Sequence, residues 1–174
     1  ENAKTIVIVT NRIDKPNSEE IYTKLKSKYH DKIIPCSALA EFWLRQYEQK
    51  GTIRYMQGEK SFEILKSDDL SQNEIVALNN IQEKILNKYN STGIQEVLNI
   101  AVFEVLNNIA DYPVHDINTL ADKDGNVLPD VFLVPQGTKL KEFIEEKIHS
   151  ELAKNFIYGL NARTKMRLGE NYEL

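Results

Sequence analysis

Runs of β-branched apolar residues alternate with polar stretches at the start of the chain. Thr5–Val9 is such a run, typical of a strand that is buried on both faces in a parallel sheet. Asn17 and the acidic residues after it favour the start of a helix, which we expect to extend to about Lys28. Lys32–Cys36 predicts a second short strand. Strand, helix and strand form one βαβ unit, and open α/β sheets bind ligands in the loops that follow their strands.

Helical periodicity dominates the middle third of the chain. A helix is predicted over Ala40–Gln49, and we expect Phe42 and Trp43 on this helix to lie in the core. Thr52–Leu65 is less regular and fits a hairpin around Gly58. The middle third is therefore expected to be mainly helical.

Two further helices are predicted to begin at capping sequences. Ser71 and Glu74 have the spacing of a capping box, and the apolar residues after them recur with a helical period: Ile75, Leu78, Ile81, Ile85, Leu86 and Tyr89. Thr92 and Gln95 repeat the same pattern. The segment Ile94–Ile109 is apolar almost all round, which predicts a buried helix.

The last third changes to short strands around one helix. Pattern and turn residues predict, in order, a strand at Tyr112–His115, a turn at Asp124–Asn126, a strand at Asp130–Val134, a helix at Leu140–Lys154, a strand at Phe156–Leu160 and a basic turn at Asn161–Gly169. Such an order is typical of a small α+β unit in which one helix packs on a sheet.

Composition and charge narrow the functional classes. The chain has 174 residues, of which 41% are hydrophobic and 28% charged, as expected for a folded, soluble protein. Its net charge of −4 argues against coating nucleic acid by bulk charge, so any such contact must be local. One cysteine, Cys36, cannot form an internal disulfide and favours a cytoplasmic location, and no apolar run is long enough to span a membrane. Because the chain starts at Glu1 without a methionine, we expect it to be a piece of a longer protein.

The two loops after the predicted strands carry the sharpest chemical signal. Asn11-Arg12-Ile13-Asp14 resembles the N-K-x-D motif of P-loop GTPases, in which the aspartate accepts hydrogen bonds from guanine N1–H and the exocyclic amine. Arg12 takes the place of the lysine, and its stem can still cover a base face. Cys36-Ser37-Ala38 resembles the S-A element whose backbone amide meets guanine O6. The alternative for the first motif is an ordinary polar turn.

A phosphate-binding loop is the element that this sequence does not contain. A Walker A motif needs a glycine followed by lysine, and none of the seven glycines is followed by one. Such a loop also provides the Mg²⁺ position. We therefore expect that these residues alone do not hydrolyse GTP.

The other candidate sites have simpler alternatives. The three histidines, His30, His115 and His149, are far apart, and Cys36 has no companion thiol, which argues against a metal site. Asp122, Asp124 and Asn126 favour a hairpin turn over a Ca²⁺ loop, because the terminal glutamate of such a loop is missing. A basic cluster beside Tyr158 and Tyr172 fits a solvated turn as well as an RNA-contacting edge: Arg163, Lys165 and Arg167.

Several segments together resemble a known family. Besides the two loops, these are Ser91–Val97, Gly125–Val134 and Lys154–Lys165. The sequence resembles the C-terminal portion of the archaeal Obg-like GTPases of the YchF-related type, and its last third resembles their TGS domain. The likeness runs nearly from end to end, and the long C-terminal segment is more specific than either short motif.

The resemblance implies an α/β unit followed by an α+β unit. Residues 1–110 would be the C-terminal part of a P-loop GTPase domain with a helical insertion at about 40–90, and residues 111–174 a β-grasp TGS domain lacking its last strand. Asn11, Arg12 and Asp14 would recognise guanine, while Ser37 and Ala38 would complete the base pocket. The implied ligands are GTP or GDP, with Mg²⁺ in the intact protein, and we expect none of them to bind tightly to this chain by itself.

Two classes of function follow from this resemblance. In the first, the chain is a fragment of a cytoplasmic GTPase that acts in translation-related regulation. In the second, it is a non-catalytic adaptor that binds RNA or the ribosome through the TGS unit, where Arg163, Lys165 and Arg167 would make the contact. A purely structural adaptor is the third alternative. A Walker A motif upstream in the parent protein would favour the first.

Overall fold

A computed structural model describes residues 6–29, 33–128 and 130–174. The chain forms two compact units, and the boundary between them falls between Ala101 and Val102. Each unit has a hydrophobic core of its own. The first unit holds both candidate base-recognition loops, and the second holds the basic cluster.

The first unit begins with the predicted strand, helix and strand. Strand β1 (Ile8–Asn11) pairs in parallel with β2 (Ile33–Cys36), and helix α1 (Ser18–Tyr29) connects them. In this register Asn11 lies beside Cys36, so the two candidate loops leave the same edge of the sheet. Thr5 and Lys32, the first residues of the two predicted strands, lie outside the described residues.

Burial differs sharply between these two strands. Both isoleucines of β2 are buried, whereas Ile8 and Val9 of β1 are exposed. The prediction of a first strand buried on both faces is therefore wrong for the described part of β1. A pair of strands has too few neighbours to cover both faces of each strand, so the apolar pattern records a surface that this chain alone does not cover.

The middle of the first unit is a helical segment with one hairpin. Its elements are α2 (Ala38–Gln49), the antiparallel pair β3 (Ile53–Arg54) and β4 (Glu63–Ile64), a 3₁₀ turn (Ser67–Asp69), α3 (Gln72–Ile81), a π-helical turn (Gln82–Leu86) and α4 (Asn87–Tyr89). The predicted hairpin is confirmed. The predicted capping box is also confirmed, because the side chains of Ser71 and Glu74 each bond the other's backbone N–H.

The aromatic residues of α2 correct one expectation. Phe42 is 52% exposed and Trp43 is 41% exposed, so neither belongs to the core. The buried positions of the helix are Ala40, Glu41, Leu44 and Tyr47. That spacing defines a single buried stripe, and Phe42 and Trp43 fall outside it because each residue advances the helix by about 100°.

The long apolar helix predicted after Thr92 is shorter and less buried than expected. Helix α5 (Ile94–Asn99) continues as a π-helical segment (Ile100–Val105), and neither contains a buried residue. Asn107 then adopts a left-handed conformation with φ of 50°, and Ile109 already belongs to a strand. The helical prediction to Ile109 is therefore wrong, because apolar periodicity alone does not mark where the backbone turns.

In the second unit a helix packs against strands, as the pattern predicts. Its elements are the antiparallel pair β5 (Asn108–Asp111) and β6 (Phe132–Pro135), α6 (Leu140–Phe143), a π-helical turn (Ile144–Ile148), α7 (Ser150–Lys154), and the antiparallel pair β7 (Gly159–Leu160) and β8 (Arg167–Leu168). The core of this unit is built from Val134, Leu140, Phe143, Ile144 and Ala153.

Some details of the second unit depart from the sequence pattern. The predicted basic turn at Asn161–Gly169 contains strand β8. The strand predicted at Tyr112–His115 is instead β5, which ends at Asp111. The predicted single helix breaks at His149, whose φ of −165° is extended. The predicted turn near Gly125 is present: the Asp122 carboxylate accepts hydrogen bonds from the backbone N–H groups of Asp124 and Asn126.

Candidate functional site

The side chain of Asn11 joins the two candidate loops. Its Oδ1 accepts a hydrogen bond from the N–H of Arg12 at 2.8 Å and from the N–H of Ala38 at 3.1 Å. The Cys36 thiol lies 3.9 Å from the same oxygen. One amide oxygen at the end of β1 therefore fixes the turn that follows it and also reaches the loop that follows β2.

The loop after β1 is anchored by its one apolar residue. Ile13 is buried, its N–H donates to the Cys36 carbonyl at 3.3 Å, and its carbonyl accepts from the Ser18 hydroxyl at 2.7 Å. Arg12, just before it, is exposed and left-handed with φ of 66°. Burial of Ile13 thus leaves the side chains on either side of it at the surface of the loop.

Asp14 occupies the outer end of this loop. Its side chain is 27% exposed, and its carboxylate lies 3.5 Å from the ammonium group of Lys15. Surface ion pairs of this kind contribute little and break readily. The carboxylate oxygens are therefore accessible as hydrogen-bond acceptors.

The loop after β2 is buried and caps a helix. Ser37 has almost no exposed surface, and its hydroxyl accepts from the Ala40 N–H at 3.4 Å as the N-cap of α2. Its own N–H donates to the carbonyl of Thr92 at 2.9 Å. The chain thus returns to this loop after the whole helical segment, a contact that sequence spacing alone does not reveal.

A cavity of about 420 Å³ brings together residues from both loops and two helices. Asp14, Lys15 and Ser37 line it on the loop side, Trp43 from α2, and Asn80 and Lys84 from the α3 region. A neighbouring cavity of about 360 Å³ is lined by residues that include Asn11 and Arg12. The structure therefore places Asp14 and Ser37 in one cavity and Asn11 and Arg12 in the other. Ala38 is exposed and lines neither of these two cavities. Sequence reasoning missed Trp43, Asn80 and Lys84, which no motif connects to the loops.

A buried polar network lies behind the second loop. The carboxylate of Glu41, which is 4% exposed, accepts hydrogen bonds from the Thr92 hydroxyl at 2.5 Å, the Tyr55 hydroxyl at 2.9 Å and Arg45 Nε at 2.7 Å. Burial and the negative charge of Glu41 raise the pKa of Tyr55 to about 12, so Tyr55 stays a donor at neutral pH. The predicted capping role of Thr92 is wrong, because its hydroxyl serves this network and Gly93 precedes α5 instead.

Arg163 and Lys165 of the basic cluster lie in the turn between β7 and β8, and Arg167 is the first residue of β8. Two of these three cations make contacts within the chain. The ammonium of Lys165 donates to the Ile117 carbonyl at 3.0 Å, and the guanidinium of Arg167 stacks 4.5 Å from the ring centroid of Tyr158. Arg163 is exposed in the turn. The structure thus shows a Tyr158–Arg167 stack, and among the described residues Tyr172 forms no cation–π pair with these cations.

Neither a metal-binding cluster nor a membrane-spanning helix occurs among the described residues. Within residues 6–29, 33–128 and 130–174, no cluster of three or more histidine, cysteine, aspartate or glutamate side chains has the arrangement to hold a metal ion. His30 lies outside these ranges. No helix in the part of the chain that the structure describes is both long and apolar enough to cross a bilayer.

A parallel βαβ unit with polar loops at the carboxyl ends of its strands is the arrangement that nucleotide-binding α/β proteins use. The chain matches the family described as Obg-like GTPase YGR210-like, G4 motif-containing domain, over residues 9–116, and it belongs to that family. Both candidate loops lie inside the matched range. The match supports a GTP-binding protein of Obg-like type.

Individual relatives agree with this assignment. An uncharacterized GTP-binding protein of Methanocaldococcus jannaschii is 39% identical over 99% of this chain and 43% of that protein. An uncharacterized GTP-binding protein of Schizosaccharomyces pombe is 31% identical over 76% of this chain and 34% of that protein. The crystal structure of a GTP-binding protein from Pyrococcus horikoshii OT3 is similar with a TM-score of 0.65 and 38% identity, covering 97% of this chain and 42% of the other. The chain spans less than half the length of each of these relatives.

Proposed function

We propose that this chain supplies the base-recognition part of a guanine-nucleotide site in an Obg-like GTP-binding protein. The observation that carries the proposal is the hydrogen bond from the Ala38 N–H to Asn11 Oδ1, which ties together two loops that resemble guanine-recognition motifs. The family match over residues 9–116 supports the same conclusion. The relatives named as GTP-binding proteins indicate the ligand class.

Each loop residue has a defined role in this proposal. Asp14 accepts hydrogen bonds from guanine N1–H and the 2-amino group, and the Ala38 N–H donates to O6. That N–H is held by Asn11 Oδ1 in the present structure, so O6 replaces one acceptor by another on binding, an exchange of small net cost. Ser37 lines the same cavity as Asp14. Arg12 lines the neighbouring cavity, and its stem would extend over a face of the base.

The phosphates and Mg²⁺ must be held elsewhere in the intact protein. No glycine of this chain is followed by lysine, so the chain carries no Walker A loop. We propose that the whole protein binds GTP or GDP with Mg²⁺ and is a GTPase whose phosphate-binding loop lies outside these residues. We also place it in the cytoplasm, because the one cysteine of this chain, Cys36, cannot form a disulfide within it.

A comparison of GDP and ADP affinities tests the base preference. In the full-length protein we expect GDP to bind roughly 100-fold more tightly than ADP, because adenine offers Asp14 neither the N1–H nor the 2-amino group. Isothermal titration calorimetry with each nucleotide, in the same Mg²⁺ buffer, measures the ratio. Equal affinities would show that the loops do not read the base, whereas tight ADP binding alone would assign the site to adenine nucleotides.

We also propose that residues 111–174 form a TGS domain that contacts RNA or the ribosome. Arg163 is exposed in the turn between β7 and β8, and the guanidinium of Arg167, in β8, stacks on Tyr158. Cations and an aromatic ring thus occur close together along a net acidic chain. Cations positioned with aromatic rings bind single-stranded nucleic acid through phosphates and bases. The non-catalytic alternative, an RNA-binding adaptor, relies on this same surface.

Replacing Arg163, Lys165 and Arg167 together by alanine should weaken RNA binding and flatten its salt dependence. Three single-stranded phosphate contacts contribute about 2 to the slope of log K against log salt, so the slope should fall by up to that amount. Fluorescence anisotropy with a labelled single-stranded RNA between low and moderate salt gives the slope. The matched control replaces Lys24, Lys26 and Lys28 of α1, which removes the same charge elsewhere. Equal slopes in wild type and both variants would move the RNA site away from this turn.

A further inference from the structure

The candidate base loop is held in place by a segment far along the chain. The Ser37 N–H donates to the Thr92 carbonyl, and both residues are buried. Next to Thr92, Gly93 packs so closely that a Cβ there would lie 2.1 Å from the Pro35 carbonyl oxygen. Thr92 and Gly93 therefore fix the position of the loop that contains Ser37, because the hydrogen bond and the close packing leave it almost no room to move.

Thr92 is in turn fixed by a single buried carboxylate. Its hydroxyl donates to Glu41 Oε2 at 2.5 Å, the oxygen that also accepts from the Tyr55 hydroxyl. Arg45 Nε donates to the other oxygen at 2.7 Å. A buried carboxylate is costly unless it is paired and hydrogen-bonded, and here one cation and two hydroxyl groups satisfy it. The geometry of Thr92 is thus set by a buried carboxylate that needs each of its three donors, because losing one would leave part of a buried charge unsatisfied.

We propose that Glu41, Thr92 and Tyr55 are positioning residues that determine how the protein reads position 6 of the purine base. In this proposal none of the three residues contacts the base. They set the position of the loop that carries the Ala38 N–H, which donates to O6. The inference rests on the proposed guanine-binding function. Because Glu41 lies on α2 and Tyr55 directly follows β3, the network also links the helical segment between Ser37 and Thr92 to the base loop.

The proposal predicts different effects on recognition at position 6 and at position 2 of the base. Recognition of the 2-amino group belongs to Asp14, on the other loop, whereas recognition of O6 belongs to the loop that Thr92 holds. A shift of the second loop should therefore reduce discrimination at position 6 and leave discrimination at position 2 unchanged. A merely stabilising role would change neither.

Three nucleotides measure the two edges in the full-length protein. GDP is the reference, 6-thio-GDP replaces O6 by the weaker acceptor sulfur, and IDP lacks the 2-amino group. We expect wild type to bind 6-thio-GDP several-fold to tenfold more weakly than GDP, the value of one hydrogen bond. In Thr92→Val, which keeps the side-chain shape and removes the hydroxyl, that penalty should fall at least threefold while the IDP penalty stays at the wild-type value.

Control variants distinguish positioning from stability. Thr52→Val removes another buried threonine hydroxyl, one that donates to the Tyr47 carbonyl at 2.9 Å, and should lower thermal stability without changing either ratio. Thr92→Ser keeps the hydroxyl and should restore the wild-type 6-thio penalty. If Thr92→Val does not fold, Tyr55→Phe tests the same network by removing one donor to Glu41 and should lower the same penalty by a smaller factor.

Different results would overturn the positioning role of the network and the proposed guanine-binding function. Unchanged 6-thio and IDP penalties in both Thr92→Val and Tyr55→Phe, with lowered thermal stability, would reduce the network to a structural role and overturn this inference alone. Equal binding of GDP and IDP by wild type would show that Asp14 does not read the 2-amino group, because IDP still offers N1–H. Equal binding of GDP and ADP by wild type would overturn the proposed function, whatever the Thr92 variants show. A 6-thio penalty that is absent in wild type would show that Ala38 does not read O6.

Discussion

Replacing Asp14 by asparagine in the full-length protein should lower the affinity for GTP about 100-fold and raise the affinity for xanthosine triphosphate. A hydrogen bond to a charged group contributes roughly 1.5 to 3 kcal/mol, and about 3 kcal/mol for the pair that Asp14 makes corresponds to this factor. Asparagine places an amide where guanine needs a pure acceptor. Xanthine carries an oxygen in place of the 2-amino group, and the amide can donate to it.

Competition binding of the two nucleotides to wild type and Asp14→Asn measures both effects. Asp68→Asn is a suitable control, because Asp68 is an exposed aspartate of the same unit that lies in a 3₁₀ turn and does not line the cavity with Asp14. If Asp14 merely caps its own turn, the variant should lose roughly 1 kcal/mol of stability and keep the base preference. The same ratio of GTP to xanthosine triphosphate affinity in both proteins would remove Asp14 from the site.

Replacing Gly93 by alanine should produce the largest loss of stability of any single substitution considered for this chain. Gly93 has φ of +82°, and an added Cβ would lie 2.1 Å from the Pro35 carbonyl oxygen and 2.9 Å from Cys36 Cβ. The left-handed conformation alone costs an alanine about 1 kcal/mol, and separating two backbone segments adds to it. We expect a total loss of at least about 3 kcal/mol, within the range of severe core substitutions.

Gly51→Ala isolates the conformational part of this effect. Gly51 is also left-handed, with φ of +68°, but no atom lies within 4 Å of its added Cβ. Urea unfolding of the full-length protein, followed by circular dichroism, should show a small shift for Gly51→Ala and a much larger one for Gly93→Ala. Equal shifts would show that the backbone at Pro35 moves aside at little cost in free energy. The close packing of Gly93 would then not fix the position of the base loop.

Local patterns in the sequence were sufficient for the elements that local forces decide. The strand, helix and strand at the start of the chain, and the reciprocal bonds of Ser71 and Glu74, depend on residues only a few positions apart. The same holds for the place of Asn11 and Cys36 at the ends of their strands. The family resemblance and its nucleotide class also came from linear motifs, and the match over residues 9–116 supports that class.

Burial depended on partners that no local pattern contains. Trp43 and Leu44 are adjacent and both apolar, yet Leu44 is fully buried and Trp43 is exposed beside Asp14 in the cavity. Ile8 has the apolar character of a central strand but is exposed in this chain. Periodicity shows that a residue can be buried, and only the presence of a covering element determines whether it is.

The sequence by itself was sufficient to locate the two loops and the strands and helix that carry them, because these depend on short-range chemistry. It also indicated the class of nucleotide, because the loops resemble guanine-recognition motifs. Tertiary structure alone decided that Asp14 and Ser37 share one cavity and that Asn11 accepts from the Ala38 N–H. It also decided that the Thr92 hydroxyl donates to the Glu41 carboxylate instead of capping a helix. A hydroxyl can satisfy a nearby helix end or a distant carboxylate, and a buried charge is the stronger acceptor once folding has brought the two together.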